Sequence, residues 1–156
     1  MERYRIHQDE SVYVVTFSVV DWIPVFISEA TCSIVTESVR YCQQHFGLCV
    51  NGYVIMPTHL HAILFNIDHD STRLSVTAMR KFTGRRLLEY AEEHLPRVFN
   101  ETFRKAADTD RARRFWQPSR HPVALSNREL WSQKLDYIHD NPRRKGLVRY
   151  PEHWRY

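Results

Sequence analysis

Two strand-like segments separated by only two residues restrict the fold of this chain more than any other feature. Residues 48–56 (LCVNGYVIM) and 59–67 (HLHAILFNI) are rich in β-branched and aromatic residues, and only Pro57 and Thr58 connect them. Strands joined this tightly form an antiparallel hairpin. The second segment places apolar side chains on both faces, which predicts a strand in the middle of a sheet.

The periodicity of the remaining apolar residues predicts the order of the other elements. We expect strand 12–20, helix 29–46, the hairpin, helix 71–95, an edge strand over 115–125 and helix 128–141. Residues 97–113 predict a loop or weak helix. This order is typical of the ferredoxin-like split βαβ fold, an α+β architecture with an antiparallel sheet and helices packed on one face. A single domain over residues 1–156 fits this length.

Composition excludes several classes of protein. Hydrophobic residues make up 43% and charged residues 26% of the chain, and the four Gly exclude a collagen-like chain. No apolar run is long enough to span a membrane, and no signal peptide begins the chain. Cys32, Cys42 and Cys49 form no C-x-x-C pair. They predict buried thiols in the reducing environment of the cytoplasm. We expect no membrane partner, because no apolar run is long enough to span a membrane.

Charge is divided unevenly along the chain. Residues 1–72 hold three Arg and eight acidic residues, a net charge of −5, whereas residues 73–156 carry +9. Of the 22 basic residues, 18 are Arg, whose planar guanidinium binds phosphate in a bidentate way. An Arg-rich half with interspersed aromatic residues is typical of nucleic-acid binding, although a solvated basic surface is equally consistent with charge alone.

The predicted helix over 71–95 combines an apolar stripe with many cations. Apolar residues at helical spacing predict its buried face: Leu74, Ala78, Phe82, Leu88, Ala91 and Leu95. Basic residues of this helix and of the segment after 140 are candidates for phosphate contacts: Arg73, Arg80, Lys81, Arg85, Arg86, Arg143, Arg144 and Lys145. Arg111, Arg113 and Arg114 are candidates for a flanking contact.

A histidine pair opens the second hairpin strand. His59 and His61 are two residues apart, so their imidazoles project from the same face of the strand. Two imidazoles on one face form half of a divalent-metal site, whereas an isolated H-x-H is more often a pair of surface histidines.

A second candidate group lies on the last predicted helix. Tyr137 falls well away from the buried stripe of Trp131, Leu135 and Ile138, and Asn141 lies one turn later. Both side chains are therefore expected to project into a cleft, although for this segment alone an exposed tyrosine and a helix-ending Asn is the more common explanation. Two His and one Asn amide oxygen can hold Mg²⁺ or Mn²⁺ with positions open for substrate. Nearby positive charge would favour the phenolate of Tyr137.

These segments together resemble a known family. YVIMPTHLHAILF (53–65) resembles the metal-binding HUH motif of single-tyrosine transposases. LDYIHDNPRRKGLVRYPEHWRY (135–156) resembles the nucleophile helix and tail of the REP-associated tyrosine transposases. VYVVTFSVVDWIPVF (12–26), AMRKFTGRRL (78–87) and FWQ (115–117) are similar to further family blocks, in the same order.

The resemblance implies an activity and assigns residues to it. His59, His61 and Asn141 would bind Mg²⁺ or Mn²⁺, and Tyr137 would be the nucleophile. Members cleave single-stranded DNA near hairpin-forming repeats through a 5′-phosphotyrosine intermediate and transfer the strand, as in DNA transposition. Single-stranded or hairpin DNA would be the partner, bound by a monomer or a homodimer.

The sequence departs from the family pattern at three places. Thr58 stands where Asn is common; because it ligates no metal, we expect little effect. Residues 117–122 differ from the usual Gly- and aromatic-containing loop, which leaves the DNA site open. The chain stops at Tyr156, where relatives usually continue, so a shortened C-terminus is an open possibility.

Two alternatives use the same residues differently. A non-catalytic regulator could bind hairpin DNA with the same fold and no metal. A metal phosphohydrolase could use water in place of the tyrosine.

Overall fold

An antiparallel sheet of four strands lies at the centre of the chain. The computed structural model describes residues 12–66, 71–118 and 122–156. Its strands are β1 (Tyr13–Ser18), β2 (Leu48–Met56), β3 (His59–Asn66) and β4 (Val123–Ala124). Its helices are α1 (Glu29–Phe46), α2 (Ser71–His94), α3 (Arg97–Lys105) and α4 (Arg128–Arg144), and short 3₁₀ turns cover Val20–Trp22 and Pro151–His153.

The strands follow the ferredoxin-like order β2-β3-β1-β4, with every neighbouring pair antiparallel. This confirms the predicted fold class and the central position of β3. The register places His59 of β3 opposite Met56 of β2 and Ser18 of β1, at the end of the sheet where the hairpin turns. The histidine strand is therefore supported on both sides at its first residue.

Each face of the sheet packs against a different set of helices. On one face, Leu60, Ala62 and Leu64 of β3 join the main core with residues of α1 and α2. On the other face, Ile63 packs with Ile138 of α4. The expected packing on one face therefore holds for α1 and α2, whereas α4 covers the opposite face. None of the helices in the described segments is long and apolar enough to cross a lipid bilayer.

The edge strand β2 changes the direction of its side chains at a bulge. The pairing with β3 shifts between Val50 and Gly52. As a result, Val50 faces the α1 side while Val54 faces α4. A Cβ atom added at Gly52 would lie 2.6 Å from Leu135 Cδ1, so the absent side chain allows α4 to approach the sheet this closely.

Capping residues mark the starts of α1 and α4 and the end of α1. The Ser28 side chain accepts a hydrogen bond from the Thr31 N–H at the start of α1, and Gly47 ends that helix at a φ of 64°. Asn127 caps α4 in the same way. The prediction that α4 ends at Asn141 is wrong, because Pro142 lies inside the last turn, which continues to Arg144.

One further sequence prediction needs correction. The edge strand over 115–125 is reduced to β4 and an isolated bridge between Val19 and Trp116, because Pro118 and Pro122 interrupt it. Residues 97–113 are expected to form a loop or weak helix, and their first part forms α3, where Phe103 is fully buried. Residues 119–121 of the predicted edge strand and Ile67 of the hairpin lie outside the described residues.

The buried face of α2 is also different from the predicted stripe. Leu74 and Phe82 are exposed, whereas Ser75, Thr83 and Gly84 are buried. Small side chains at these positions make room for larger neighbours: the Trp116 indole N–H donates to Thr83 Oγ1, and its ring lies over Gly84. The buried face also holds Val76, Met79 and Leu87, so it is a mixture of apolar and small polar residues that the predicted stripe did not identify.

Candidate active site

The two histidines lie side by side on the face of β3 that α4 covers. Side chains alternate along a strand, so His59 and His61 share the face of Ile63, which contacts α4. Their ring centroids are 4.7 Å apart, with an interplanar angle of 75°. Only 8% of His59 is exposed. The predicted pairing of the imidazoles is therefore present at the hairpin end of the sheet.

A threonine hydroxyl forms a hydrogen bond with the Nδ1 atom of each imidazole. Thr16 Oγ1 lies 2.8 Å from His61 Nδ1, and Thr58 Oγ1 lies 2.9 Å from His59 Nδ1. When Nδ1 donates its proton to the hydroxyl, Nε2 keeps a free lone pair. Thr58 thus has a contact role that the expectation of little effect did not include.

Burial keeps both imidazoles neutral. Desolvation lowers the pKa of His61 to about 4, and the charges of His59 and Lys134 act in the same direction. Desolvation also lowers the pKa of His59, together with the nearby charge of Lys145. A neutral imidazole is the form that binds metal ions, so this environment suits a ligand pair.

Tyr137 lies beside the histidine pair. Its ring centroid is 5.9 Å from that of His61, and 42% of the residue is exposed. Arg144 Cζ lies 5.2 Å and Lys134 Nζ 5.9 Å from the centroid of the tyrosine ring. The phenol is therefore open to solvent, next to His61 and flanked by two cations.

Asn141 is in a different environment from the one expected. Only 2% of it is exposed, so it lies beneath the surface and not in an open cleft with Tyr137. Its side-chain oxygen Oδ1 has no hydrogen-bond partner among the described residues. A buried amide oxygen without a partner is costly, which makes this atom a suitable donor for a missing ligand.

The donor set fits a divalent cation such as Mg²⁺ or Mn²⁺. The histidines lie on β3 and Asn141 lies on α4, two elements in contact. Two imidazole nitrogens and one amide oxygen are donor types that such a cation accepts, with positions left open for oxygen ligands. Across residues 12–66, 71–118 and 122–156, no group of three His, Cys, Asp or Glu side chains could hold a metal. Among the described residues, a third protein ligand at the histidine pair would therefore be another type of side chain, such as Asn141.

Several predicted phosphate-contact residues line one cleft of about 500 Å³. Its walls come from α2 and from the segment before Trp116, and its basic lining residues are Arg80, Lys81, Arg85, Arg111, Arg113 and Arg114. Arg73 and Arg86 are exposed elsewhere on α2. The two sets of arginines expected to bind the same DNA therefore come together.

Many of these cations also contact groups of the protein. Arg80 donates to the Gln117 carbonyl and lies over the Phe17 ring, so part of its guanidinium is used inside the fold. Arg113 pairs with Glu92 at 2.9 Å, and Arg114 pairs with Asp108. Lys81 points to solvent at the rim of the cleft.

The basic residues after Asn141 lie in three different environments. Arg143 forms an ion pair with Asp140, which raises the pKa of Arg143 and lowers that of Asp140. Arg144 lies over the Tyr137 ring. Lys145 follows α4 and acts on His59 through its charge.

Sequence reasoning missed three residues of this site. Lys134 lies three residues before Tyr137, so helical spacing could have identified it. Thr16 contacts His61 only because of the β1–β3 register, which the sequence does not specify. Trp22, whose ring centroid is 5.9 Å from that of His59, follows an irregular turn that leaves no periodic signal.

Two solved structures have a fold similar to that of this chain. No family model matches the sequence, and no curated protein matches it. A solved REP-associated tyrosine transposase bound to a REP hairpin superposes with a TM-score of 0.71 at 16% identity, over 100% of this chain and 81% of that one.

A protein from Deinococcus radiodurans, described as a candidate transposase, superposes with a TM-score of 0.54 at 18% identity, over 90% of this chain and 97% of that one. The chain has the fold of a REP-associated tyrosine transposase.

Proposed function

We propose that this protein is a metal-dependent single-stranded DNA endonuclease and strand transferase that acts at hairpin-forming repeats. The observation that carries the proposal is the proximity of Tyr137 to His61, with ring centroids 5.9 Å apart, beside a second neutral imidazole. The shared fold with a transposase bound to a REP hairpin supports the same activity.

His59, His61 and Asn141 would hold Mg²⁺ or Mn²⁺ through two Nε2 atoms and one Oδ1 atom. The bound cation would polarise the scissile phosphate and neutralise charge that develops on it. The threonine hydroxyls keep the imidazoles oriented towards that phosphate. Lys134 and Arg144 lie beside the Tyr137 ring, where they can attract the phosphate.

The proposed reaction is a transesterification. Tyr137 Oη loses its proton and attacks phosphorus, forming an O–P bond, while the bond from phosphorus to the 3′-oxygen breaks. The 3′-oxygen takes a proton and leaves as a hydroxyl. The 5′-phosphate remains on Tyr137, and attack by a second 3′-hydroxyl reverses the step on another strand, so strand transfer needs no external energy source.

The basic cleft is suited to the duplex part of a hairpin. A chain of contacts links the wall of this cleft to the histidine strand. Arg80 donates to the Gln117 carbonyl, and the Gln117 N–H donates to the Ser18 carbonyl at 2.8 Å. Ser18, at the end of β1, pairs with His59. A hairpin bound in the Arg-rich cleft would lie on the α2 side of the sheet, and its single-stranded flank would pass the Ser18 end of β1 to reach the histidines. Phosphate contacts of this kind set register and orientation.

Incubation with labelled hairpin DNA and Mn²⁺ tests the proposal. We expect a protein–DNA adduct that survives SDS and a product with a free 3′-hydroxyl. Tyr137→Phe and the addition of EDTA should each abolish both. Tyr41→Phe is a matched control, because Tyr41 is an exposed tyrosine on α1, on the other face of the sheet.

Two outcomes would replace the proposal with an alternative. Cleavage that leaves a free 5′-phosphate and no adduct indicates a phosphohydrolase that uses water. Hairpin binding that persists in EDTA, without cleavage of any hairpin substrate, indicates a DNA-binding regulator.

A further inference from the structure

The turn after β1 contains the only non-glycine residues of the described segments with positive φ. Asp21 has φ 50° and ψ 23°, and Trp22 has φ 54°. Residues other than glycine rarely adopt this left-handed backbone conformation, and two such residues in succession are less common still. Strained backbone of this kind persists where the surrounding structure determines it, and it clusters at functional sites.

The surrounding structure fixes this turn from both ends. The Val19 N–H donates to the Thr58 carbonyl at 2.9 Å, and the Val20 N–H donates to the Phe115 carbonyl at 2.9 Å. Further along, the Phe26 N–H donates to the Pro57 carbonyl at 3.0 Å. The turn is thus attached to the hairpin residues that directly precede His59.

The strained turn places the large aromatic side chain of Trp22 outside the hydrophobic core. Trp22 is 50% exposed, although its neighbours Val20 and Ile23 are buried. Its ring meets that of His59 edge-on, at 5.9 Å between centroids and 81° between planes. Among the described residues, His59 is the aromatic partner of this indole, and the exposed half of the ring is open for stacking.

The charges around the indole favour a base over a phosphate as that partner. The carboxylate of Asp21, exposed in the same turn, would repel a phosphate at this end of the site. Lys145, on the other hand, is close enough to His59 to act on it through its charge. Lys145 would therefore attract the phosphate near His59, and the uncharged indole ring of Trp22 would be left to stack on a base.

We propose that Trp22 stacks on the unpaired DNA base next to the phosphate held at His59. Trp22 would position the single strand without taking part in the chemistry. This inference rests on the proposed function for the identity of the nucleic acid, and it adds a residue to which that function assigns no role. Stacking on an aromatic ring accepts any base, because every base has a π-face.

Binding measurements test this role without any cleavage. We would use fluorescence anisotropy with the Tyr137→Phe protein, so that the DNA stays intact, and compare one hairpin with and without a single-stranded flank. Adding Trp22→Ala should weaken binding of the flanked hairpin by about 5- to 150-fold. It should leave binding of the hairpin without a flank unchanged, and Trp22→Phe should retain most of the affinity.

A flank with abasic sites provides a second measurement that does not depend on a folded variant. Abasic DNA should weaken binding by the Tyr137→Phe protein as much as Trp22→Ala does, and the two losses should not add. Tyr41→Ala, which removes another exposed aromatic ring, should have no effect. If the Trp22→Ala protein binds the flanked hairpin as tightly as its Tyr137→Phe parent does, the stacking role is overturned. If Trp22 contributes as expected but wild type forms no adduct, the catalytic proposal fails and the stacking role stands.

Discussion

At the scale of single residues, the site depends on hydroxyl groups that orient imidazole rings. Thr16 reaches His61 from the neighbouring strand, and Thr58 reaches His59 from the hairpin turn. Such partners fix which ring nitrogen is free, and they raise the fraction of rings that are ready to bind a cation. The threonines are therefore positioning residues for the proposed metal site.

Replacing Thr16 by Val tests this role. Val keeps the shape of Thr and suits a strand, so the fold should persist, but the hydrogen bond to His61 Nδ1 is lost. We expect Mn²⁺ affinity, measured by calorimetric titration, to fall about 10- to 100-fold. Thr36→Val is a matched control, because Thr36 bonds only within α1. Unchanged Mn²⁺ affinity in the Thr16→Val protein would contradict the orienting role.

The lowered pKa of His61 predicts how stability depends on pH. Its folded-state pKa is about 4, below the unfolded value near 6.5, so the unfolded state binds more protons between these values. The free energy of unfolding should therefore be highest above pH 6.5 and should decrease towards pH 4, by up to about 3 kcal/mol from this residue.

Urea denaturation in EDTA at about pH 7.5 and about pH 5 measures this effect. His61→Gln should reduce the loss of stability on acidification, whereas His45→Gln should not, because His45 is exposed at the end of α1. An acid-induced loss in His61→Gln as large as that of the wild type would mean that His61 is not the group responsible.

At the scale of elements, the approach of α4 to the sheet determines where Tyr137 lies. Gly52 is the contact point on β2, with the side chains of Leu135 and His139 above it. Tyr137 lies on the same helix and meets His61 on the next strand. A change in the distance between β2 and α4 should therefore reach the site.

Gly52→Ala should destabilise the protein by about 1–3 kcal/mol, because the new Cβ would lie 2.6 Å from Leu135 Cδ1. Chemical denaturation measures this difference. In a Leu135→Ala background the same substitution should cost much less, since the clashing atom is gone. An equal cost in both backgrounds would show that the close approach is not the cause.

Elements with strong local signals could be predicted, and elements set by tertiary contacts could not. The hairpin residues Pro57 and Thr58 and the caps Ser28 and Gly47 specify β2, β3 and α1 at almost every boundary. In contrast, small residues such as Ser75, Thr83 and Gly84 form part of the buried face of α2, and the apolar pattern of the sequence did not identify this face. The same limit applies to the site. Helical spacing identifies Tyr137 as a residue outside the buried stripe, but the contact between Thr16 and His61 depends on the register of β1 against β3.

At the scale of the whole molecule, the uneven charge corresponds to two parts of one surface. The first 72 residues, with a net charge of −5, contain the histidine pair, its two threonines and Trp22. The later residues, with +9, contain Tyr137 and most of the basic cleft. The two parts meet where Ser18 pairs with both His59 and the segment of Gln117. In the proposed function, the basic part holds the DNA and the histidine strand completes the reaction centre.

Locating the covalent bond tests the central claim most directly. Wild-type protein would be incubated with hairpin DNA and Mn²⁺, digested with nuclease and protease, and examined by tandem mass spectrometry. We predict one modified peptide, with a nucleotide attached through its 5′-phosphate to Tyr137 Oη. A nucleotide attached to any other residue, or DNA cleaved with no modified peptide, would contradict the account.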